Sequence, residues 1–82
     1  MQMPLFFFHL RKDGQLSEDE EGLDLPNLDA ARAEADASAR EMLGDSIKGS
    51  HGGAPDAIVV CDAKGTQVYE VALAAFLPRS RH

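Results

Sequence analysis

The sequence has little of what several functional classes require. It has one cysteine in 82 residues, which excludes an internal disulfide and a zinc site built from cysteines alone. Eight Lys and Arg stand against fourteen Asp and Glu, and the net charge of −6 counts against a broad nucleic-acid face and docking on an anionic membrane. The 44% hydrophobic content is nevertheless that of a folded chain. We therefore predict a single domain over residues 1–77 and a flexible tail at 78–82, with no nucleic-acid or membrane partner.

Long hydrophobic runs are also missing. The run Met3–Phe8 falls far short of the roughly 20 apolar residues that span a membrane. Nothing basic precedes it, and His9 and Arg11 follow it at once, so its pattern is not that of a signal peptide. We expect a strand here and a cytoplasmic protein, with which the unpaired Cys61 is compatible.

The first strand is predicted over Leu5–Leu10, a short aromatic stretch that ends at the turn signal Lys12-Asp13-Gly14. Alternation places two sets of side chains on opposite faces: Leu5, Phe7 and His9 on one, and Phe6, Phe8 and Leu10 on the other. Both sets are apolar at their centre. Such a strand needs cover on both sides.

A surface helix is predicted over Asn27–Ile47. Asn27 is a good N-cap, and Asp29 lies in the first turn, where the helix dipole favours a carboxylate. The stripe expected to face a sheet comprises Leu28, Ala31, Ala35, Ala39, Met42, Leu43 and Ser46. A charge ladder is expected along one flank from Arg32, Asp36 and Arg40.

The remaining chain divides into short strands and connections. We predict a solvated acidic loop at 17–21, a weak strand at Leu23–Leu25 ended by Pro26, and a flexible connection over Lys48–Asp56. A hairpin is predicted from strands 57–63 and 66–73 around Asp62-Ala63-Lys64-Gly65. The order β-β-α-β-β predicts a two-layer α+β fold, a small antiparallel sheet with one helix packed across it.

The pattern resembles a known family. The chain is similar to small bacterial, rhizobial-type proteins that are grouped as a domain of unknown function. The stretches that carry the resemblance are FFFHLR from Phe6, Asp13-Gly14, Asp19-x-Glu21-Gly22-x-x-Leu25-Pro26 and the start of the helix. Lys12 is an additional residue, and the end, Ala72–Pro78, departs from the pattern. The resemblance implies a stand-alone domain and supplies no reaction or ligand. A weaker likeness is to HicB-type antitoxins, which also place Leu-Pro before a capped helix rich in Glu and Ala.

Residues that could carry chemistry have structural interpretations that we favour. His9 is expected to be a half-buried strand residue bonded to a carbonyl or carboxylate, and Cys61 a small buried hydrophobe. The acidic loop does not match a calcium-binding loop, and Ser50–Gly53 matches neither a phosphate loop nor a nucleophile elbow. We therefore expect no catalysis, no metal site and no cofactor.

One helix covers only one sheet face, so the apolar first strand predicts an interaction surface. Its expected residues are Leu5, Phe6, Phe7, Phe8, Leu10, Leu23 and Leu25. The alternative is that loops and Ala74–Leu77 fold back over the second face. The leading hypothesis is a non-catalytic protein that self-associates as a homodimer. Two alternatives are a ligand- or metal-binding sensor using His9, Asp13 and the acidic loop, and an antitoxin-like partner of a basic protein.

Overall fold

The structure is a computed structural model that describes residues 3–47 and 55–76, with side chains of the helix described as far as Leu43. Its strands are β1 (Leu5–Lys12), β2 (Gln15–Ser17), β3 (Leu23–Asp24), β4 (Ala57–Cys61) and β5 (Gln67–Ala72). One helix, α1 (Leu28–Ile47), separates β3 from β4, and a 3-10 helix, Leu73–Phe76, follows β5. The α+β arrangement predicted from the sequence is confirmed.

The strands form one antiparallel sheet in the order β2-β1-β4-β5, and β3 pairs with the same edge of β1 as β2 does. β1 and β4 are in register from Phe7 opposite Cys61 to Arg11 opposite Ala57. The β4–β5 register shifts between Val60 and Cys61, which marks a bulge. The central strand β4 is buried along its whole length.

β2 was not predicted, because its three residues are short, exposed and followed by acidic side chains. The turn that creates it is readable in retrospect. Asp13 and Gly14 have φ values of +53° and +80°, the pair of positive angles that a two-residue hairpin of the primed type requires. The predicted turn signal is therefore the tip of a hairpin that returns along β1.

The helix follows its predicted bounds. The Asn27 side-chain oxygen accepts a 2.9 Å hydrogen bond from the amide of Ala30, which confirms the N-cap. Three members of the predicted stripe, Ala31, Ala35 and Ala39, are fully buried, and Met42 and Leu43 pack on the core beside them. Leu28 is a correction: it remains 39% exposed, since burial begins one turn later at Ala31 and the first turn extends past the core.

The core lies between α1 and one sheet face. Its buried members are Phe6, Ala31, Ala35, Ala39, Ile58, Val60, Val71 and Leu73. The 3-10 helix also belongs to this side, because Phe76 packs against the core and the Arg40 guanidinium lies 4.6 Å from its ring centroid. Residues 74–76 therefore do not fold over the opposite sheet face, as the alternative prediction required.

Several predicted features lie outside the described residues. These are the connection at 48–54 with His51, the Ser46 side chain of the stripe, Leu77, and the tail at 78–82. Within the described ranges, no helix combines the length and the apolar character needed to cross a membrane.

Candidate interaction surface

The sheet face turned away from α1 is the candidate site, and we call it the open face. Side chains directly opposite in antiparallel strands share a face. The registers therefore place on it Leu5, Phe7, His9 and Arg11 of β1, Leu16 of β2, Asp24 of β3, Ala57, Val59 and Cys61 of β4, and Gln67, Glu70 and Ala72 of β5. No helix or strand among residues 3–47 and 55–76 forms a second layer there.

The centre of the open face is apolar and its charges are balanced. Val59 and Cys61 are 5% and 8% exposed, and their β1 partners are the longer side chains of His9 and Phe7. The Phe7 and His9 rings are stacked, with centroids 6.4 Å apart and an interplanar angle of 14°. Arg11 forms an ion pair with a Glu70 carboxylate oxygen across β4. An acidic chain thus presents here a surface with little net charge at its centre.

The outer edge of β1 is completed by the acidic segment, which we define as Glu18–Gly22. It lies between β2 and β3, where no strand pairs with β1. Instead, one Asp19 carboxylate oxygen accepts a 3.1 Å hydrogen bond from the amide of Phe8. Its other oxygen accepts from the amides of Glu21 and Gly22 at 3.1 and 3.2 Å. A side-chain carboxylate therefore stands where a backbone carbonyl would continue the sheet.

These bonds set the ionisation of Asp19. Burial acts to raise the pKa of its carboxyl, but the amides of Phe8, Glu21 and Gly22, together with the nearby His9, outweigh that effect and hold the pKa below its ordinary value. The sequence-based interpretation of residues 17–21 as a solvated loop is right for the exposed Glu18, Glu20 and Glu21, but it missed this role of Asp19.

His9 is half-buried on the open face, as predicted, but its bonding partner differs. Its Nδ1 accepts a 2.9 Å hydrogen bond from the backbone amide of Asp19, whereas a carbonyl or carboxylate was expected. Gly22 closes the segment with φ of +76°, and a Cβ there would lie 3.0 Å from Leu5 Cγ and Phe7 Cε2. The backbone of the segment thus touches the side chains at the margin of the open face.

The predicted interaction residues divide between the two sides of the sheet. Leu5 and Phe7 are half-buried on the open face. Phe6 is buried under α1, and Phe8, Leu10 and Leu25 pack against the same core. Leu23 is 42% exposed and lies opposite Phe6, hence on the α1 side. Leu16, on β2, is 48% exposed on the open face and was not predicted, because its strand was not recognised.

The predicted charge ladder on α1 faces aromatic rings of the sheet side. Asp36 accepts a 2.8 Å hydrogen bond from the Tyr69 hydroxyl, and the Arg32 guanidinium lies 5.2 Å from the centroid of the same ring. Arg40 lies over Phe76 in the same way. These contacts fasten the helix to β5 and to the 3-10 helix.

Among residues 3–47 and 55–76, the other side chains that could carry chemistry do not cluster. Burial, with the adjacent Asp62 charge, raises the pKa of the Cys61 thiol, so Cys61 is a poorer nucleophile than a free cysteine. In the part of the chain that the structure describes, no three His, Cys, Asp or Glu side chains converge as metal ligands.

The fold and the open face define a small α+β domain with one helix on one face of an antiparallel sheet. Residues 5–74 match a family described as a domain of unknown function, DUF6894, and the chain belongs to this family. No curated protein matches the chain, and no solved structure does.

Proposed function

We propose that this chain is a non-catalytic protein-interaction module that self-associates through its open face. The observation that carries the proposal is the one-sided cover of the sheet: α1 packs on one face, and the described residues place no layer on the other. The apolar side chains that keep some exposure there, Leu5, Phe7 and Leu16, are typical of a contact surface. A second copy of the chain is the occupant that we favour, in a symmetric pair.

Charge and size support a second copy as the partner. Each chain carries a net charge of −6, so two copies repel unless the touching surfaces are locally neutral. The paired Arg11 and Glu70 provide that neutrality at the centre of the open face. Four strands in a row make a face on the order of 20 Å by 25 Å. The resulting area of about 500 Å² lies in the range of weak interfaces, which bury less than about 600 Å² on each partner.

Two exposed leucines allow a matched test. Leu16 and Leu23 have similar exposure, 48% and 42%, and both lie on short strands paired to the same edge of β1. They lie on opposite sides of the sheet. Leu16→Asp adds a charge to the open face, and Leu23→Asp adds the same charge on the α1 side.

We expect sedimentation equilibrium to show a dimer for the wild type and for Leu23→Asp, with dissociation constants that differ less than about tenfold. Leu16→Asp should weaken the dimer at least about tenfold, because both copies place the new charge in the contact. A monomeric wild type at high concentration would overturn the proposal. Equal dissociation constants for Leu16→Asp and Leu23→Asp would exclude the open face as the contact surface of the dimer.

Native mass spectrometry of the same samples separates the alternatives. A doubled mass with no adduct supports the self-associating module. A bound metal ion or small molecule would instead support a sensor, and a basic second protein would support an antitoxin-like role. Phe6→Asp and Phe8→Asp are unsuitable tests, because Phe6 is buried under α1 and Phe8 packs on that core.

A further inference from the structure

His9 and Asp19 are joined by a hydrogen bond that exists in only one protonation state of the imidazole. The Asp19 amide donates to Nδ1 of His9 at 2.9 Å. A nitrogen that accepts a hydrogen bond carries no proton, so this imidazole is neutral with its proton on Nε2. An imidazolium donates from both nitrogens and accepts at neither. The observed bond is therefore lost when His9 gains a proton.

The same residue of the acidic segment is held to β1 a second time. Asp19 accepts from the amide of Phe8 through its carboxylate and donates to the side chain of His9 through its own amide. Two consecutive residues of β1 thus bind Asp19: Phe8 donates a hydrogen bond to it, and His9 accepts one from it. Neither bond belongs to a strand ladder, so the attachment of the segment to the middle of this edge depends on them.

We propose that His9 and Asp19 form a proton-sensitive latch, which keeps the amides of Asp19 and Phe8 hydrogen-bonded when His9 is neutral and frees both amides when His9 is protonated. In the charged state, the Asp19 amide faces an N–H donor. The carboxylate of the same residue becomes the natural acceptor for that donor, because it is near enough for its charge to interact with His9. Turning towards the imidazolium withdraws it from the amides of Phe8, Glu21 and Gly22. Histidine is the side chain whose charge ordinarily changes between about pH 5 and 8.

The charged groups near His9 determine which way a positive imidazolium is attracted. On β1, Arg11 shares its face, but Arg11 is paired with Glu70 of β5. The neighbours on β4 and β2 are Val59, the neutral thiol of Cys61, and Leu16, none of them charged. The remaining charged groups along this edge of β1 are those of the acidic segment, Glu18, Asp19, Glu20 and Glu21, and Asp24 of β3, which lies opposite Leu5. The excess charge beside His9 is therefore negative, and a protonated His9 draws the Asp19 carboxylate away from the amide of Phe8.

Release of the latch has a defined structural consequence. The amide of Phe8 loses the acceptor that covers it, in the middle of the outer edge of β1. An exposed edge amide favours pairing with another chain. This last consequence rests on the proposed function, whereas the latch itself does not.

The test is amide hydrogen exchange by NMR across the titration of His9, with its ring signals followed in the same samples. Protection factors, which correct for the intrinsic pH dependence of exchange, should fall about five- to tenfold for Asp19 and Phe8 as His9 gains its proton. The turn at Asp62 is an internal control. Its carboxylate accepts from the amides of Lys64 and Thr66 in the same manner, with no histidine bonded to it, and these amides should keep their protection.

His9→Asn is the matched variant. The Asn Oδ1 replaces Nδ1 as an acceptor for the Asp19 amide and does not gain a proton in this range, while His51 and His82 remain to titrate in both proteins. Protection of Asp19 and Phe8 in this variant should stay level from pH 7.5 to 5.5. The latch is overturned if the wild-type amides stay protected while His9 titrates, or if the variant loses as much protection as the wild type. The wild-type result decides alone if the variant does not fold. A monomeric chain that shows the latch would refute only the proposed self-association.

Discussion

The hydroxyl of Tyr69 on β5 donates a 2.8 Å hydrogen bond to the carboxylate of Asp36 on α1. It joins the helix to the outermost strand of the sheet, and the Arg32 guanidinium lies over the same ring. The bond to Asp36, followed by burial, raises the pKa of Tyr69 above its ordinary value. Tyr69 is also the only tyrosine of a chain that has no tryptophan, so its ionisation can be followed directly by absorbance.

We predict that the tyrosinate absorbance of the folded protein appears at a higher pH than in urea. Because the folded pKa is raised, the stability from this group is complete below the unfolded pKa of about 10. It is lost as the pH rises through the folded pKa. Asp36→Asn should lower the midpoint, since the amide removes the negative charge beside the phenol. Identical midpoints for the folded and unfolded wild type would contradict this assignment.

Asp19 should make the stability of the protein depend on pH in the opposite sense, with a loss of stability at low pH. Its folded pKa is depressed, so its contribution to stability is present above the unfolded pKa of about 3.9 and is lost as the pH falls through the folded pKa. Urea unfolding of Asp19→Asn at pH 7 should show a loss of about 1–3 kcal/mol. The loss should shrink towards pH 2. Glu20→Gln, one residue away and exposed, is the control and should unfold like the wild type at both values.

The alanine stripe predicts that the same substitution costs very different amounts of stability at nearby positions of α1. Ala35 is fully buried against the sheet, and Ala33 is exposed two residues earlier. Ala35→Leu should destabilise the protein by about 1–3 kcal/mol or more, because a close-packed core has no room for the added carbons. Ala33→Leu should change the urea midpoint little, since both residues form helices well. Equal midpoints would mean that α1 does not lie as closely on the sheet as described.

A comparison of Gly22 with Gly65 distinguishes the destabilisation caused by backbone strain from that caused by steric crowding. Gly22 and Gly65 have nearly the same φ, +76° and +84°, so alanine is strained at both by about 1–2 kcal/mol. A Cβ at Gly65 meets nothing within 4 Å, but one at Gly22 meets Leu5 and Phe7 at 3.0 Å. Thermal unfolding should therefore show a larger loss for Gly22→Ala than for Gly65→Ala. A similar loss for both would place the acidic segment farther from the open face.

Features that depend on local chemistry were predictable from the sequence. Asn27 caps the helix, the stripe at Ala31, Ala35 and Ala39 faces the sheet, and Gly65 provides the positive φ of the hairpin. Each follows from a preference that acts within one turn or one helical repeat. Local rules failed at Leu28, because the position at which a helix passes the edge of its sheet depends on the whole fold.

The candidate site was less predictable, because its key contacts are tertiary. The sequence could not tell whether Phe6 or Phe7 would lie under the helix, since both faces of β1 are apolar. It also gave no reason to prefer Asp19 over its acidic neighbours, because the choice depends on which carboxylate meets the free amide of Phe8. The prediction for His9 was right that the side chain is hydrogen-bonded, but the partner is a backbone amide and not a carbonyl or carboxylate. That partner belongs to Asp19, ten residues away, so the sequence around His9 does not reveal it.

The three buried alanines also make the two layers of the domain interdependent over evolutionary time. Their methyl groups set the spacing between α1 and the strand that carries Ile58 and Val60. A larger residue in the helix at these positions is tolerated only together with a smaller one in the strand, so the two segments should drift in concert. The outward side of α1 has no such constraint and is free to gain, lose or reverse charge while the fold persists.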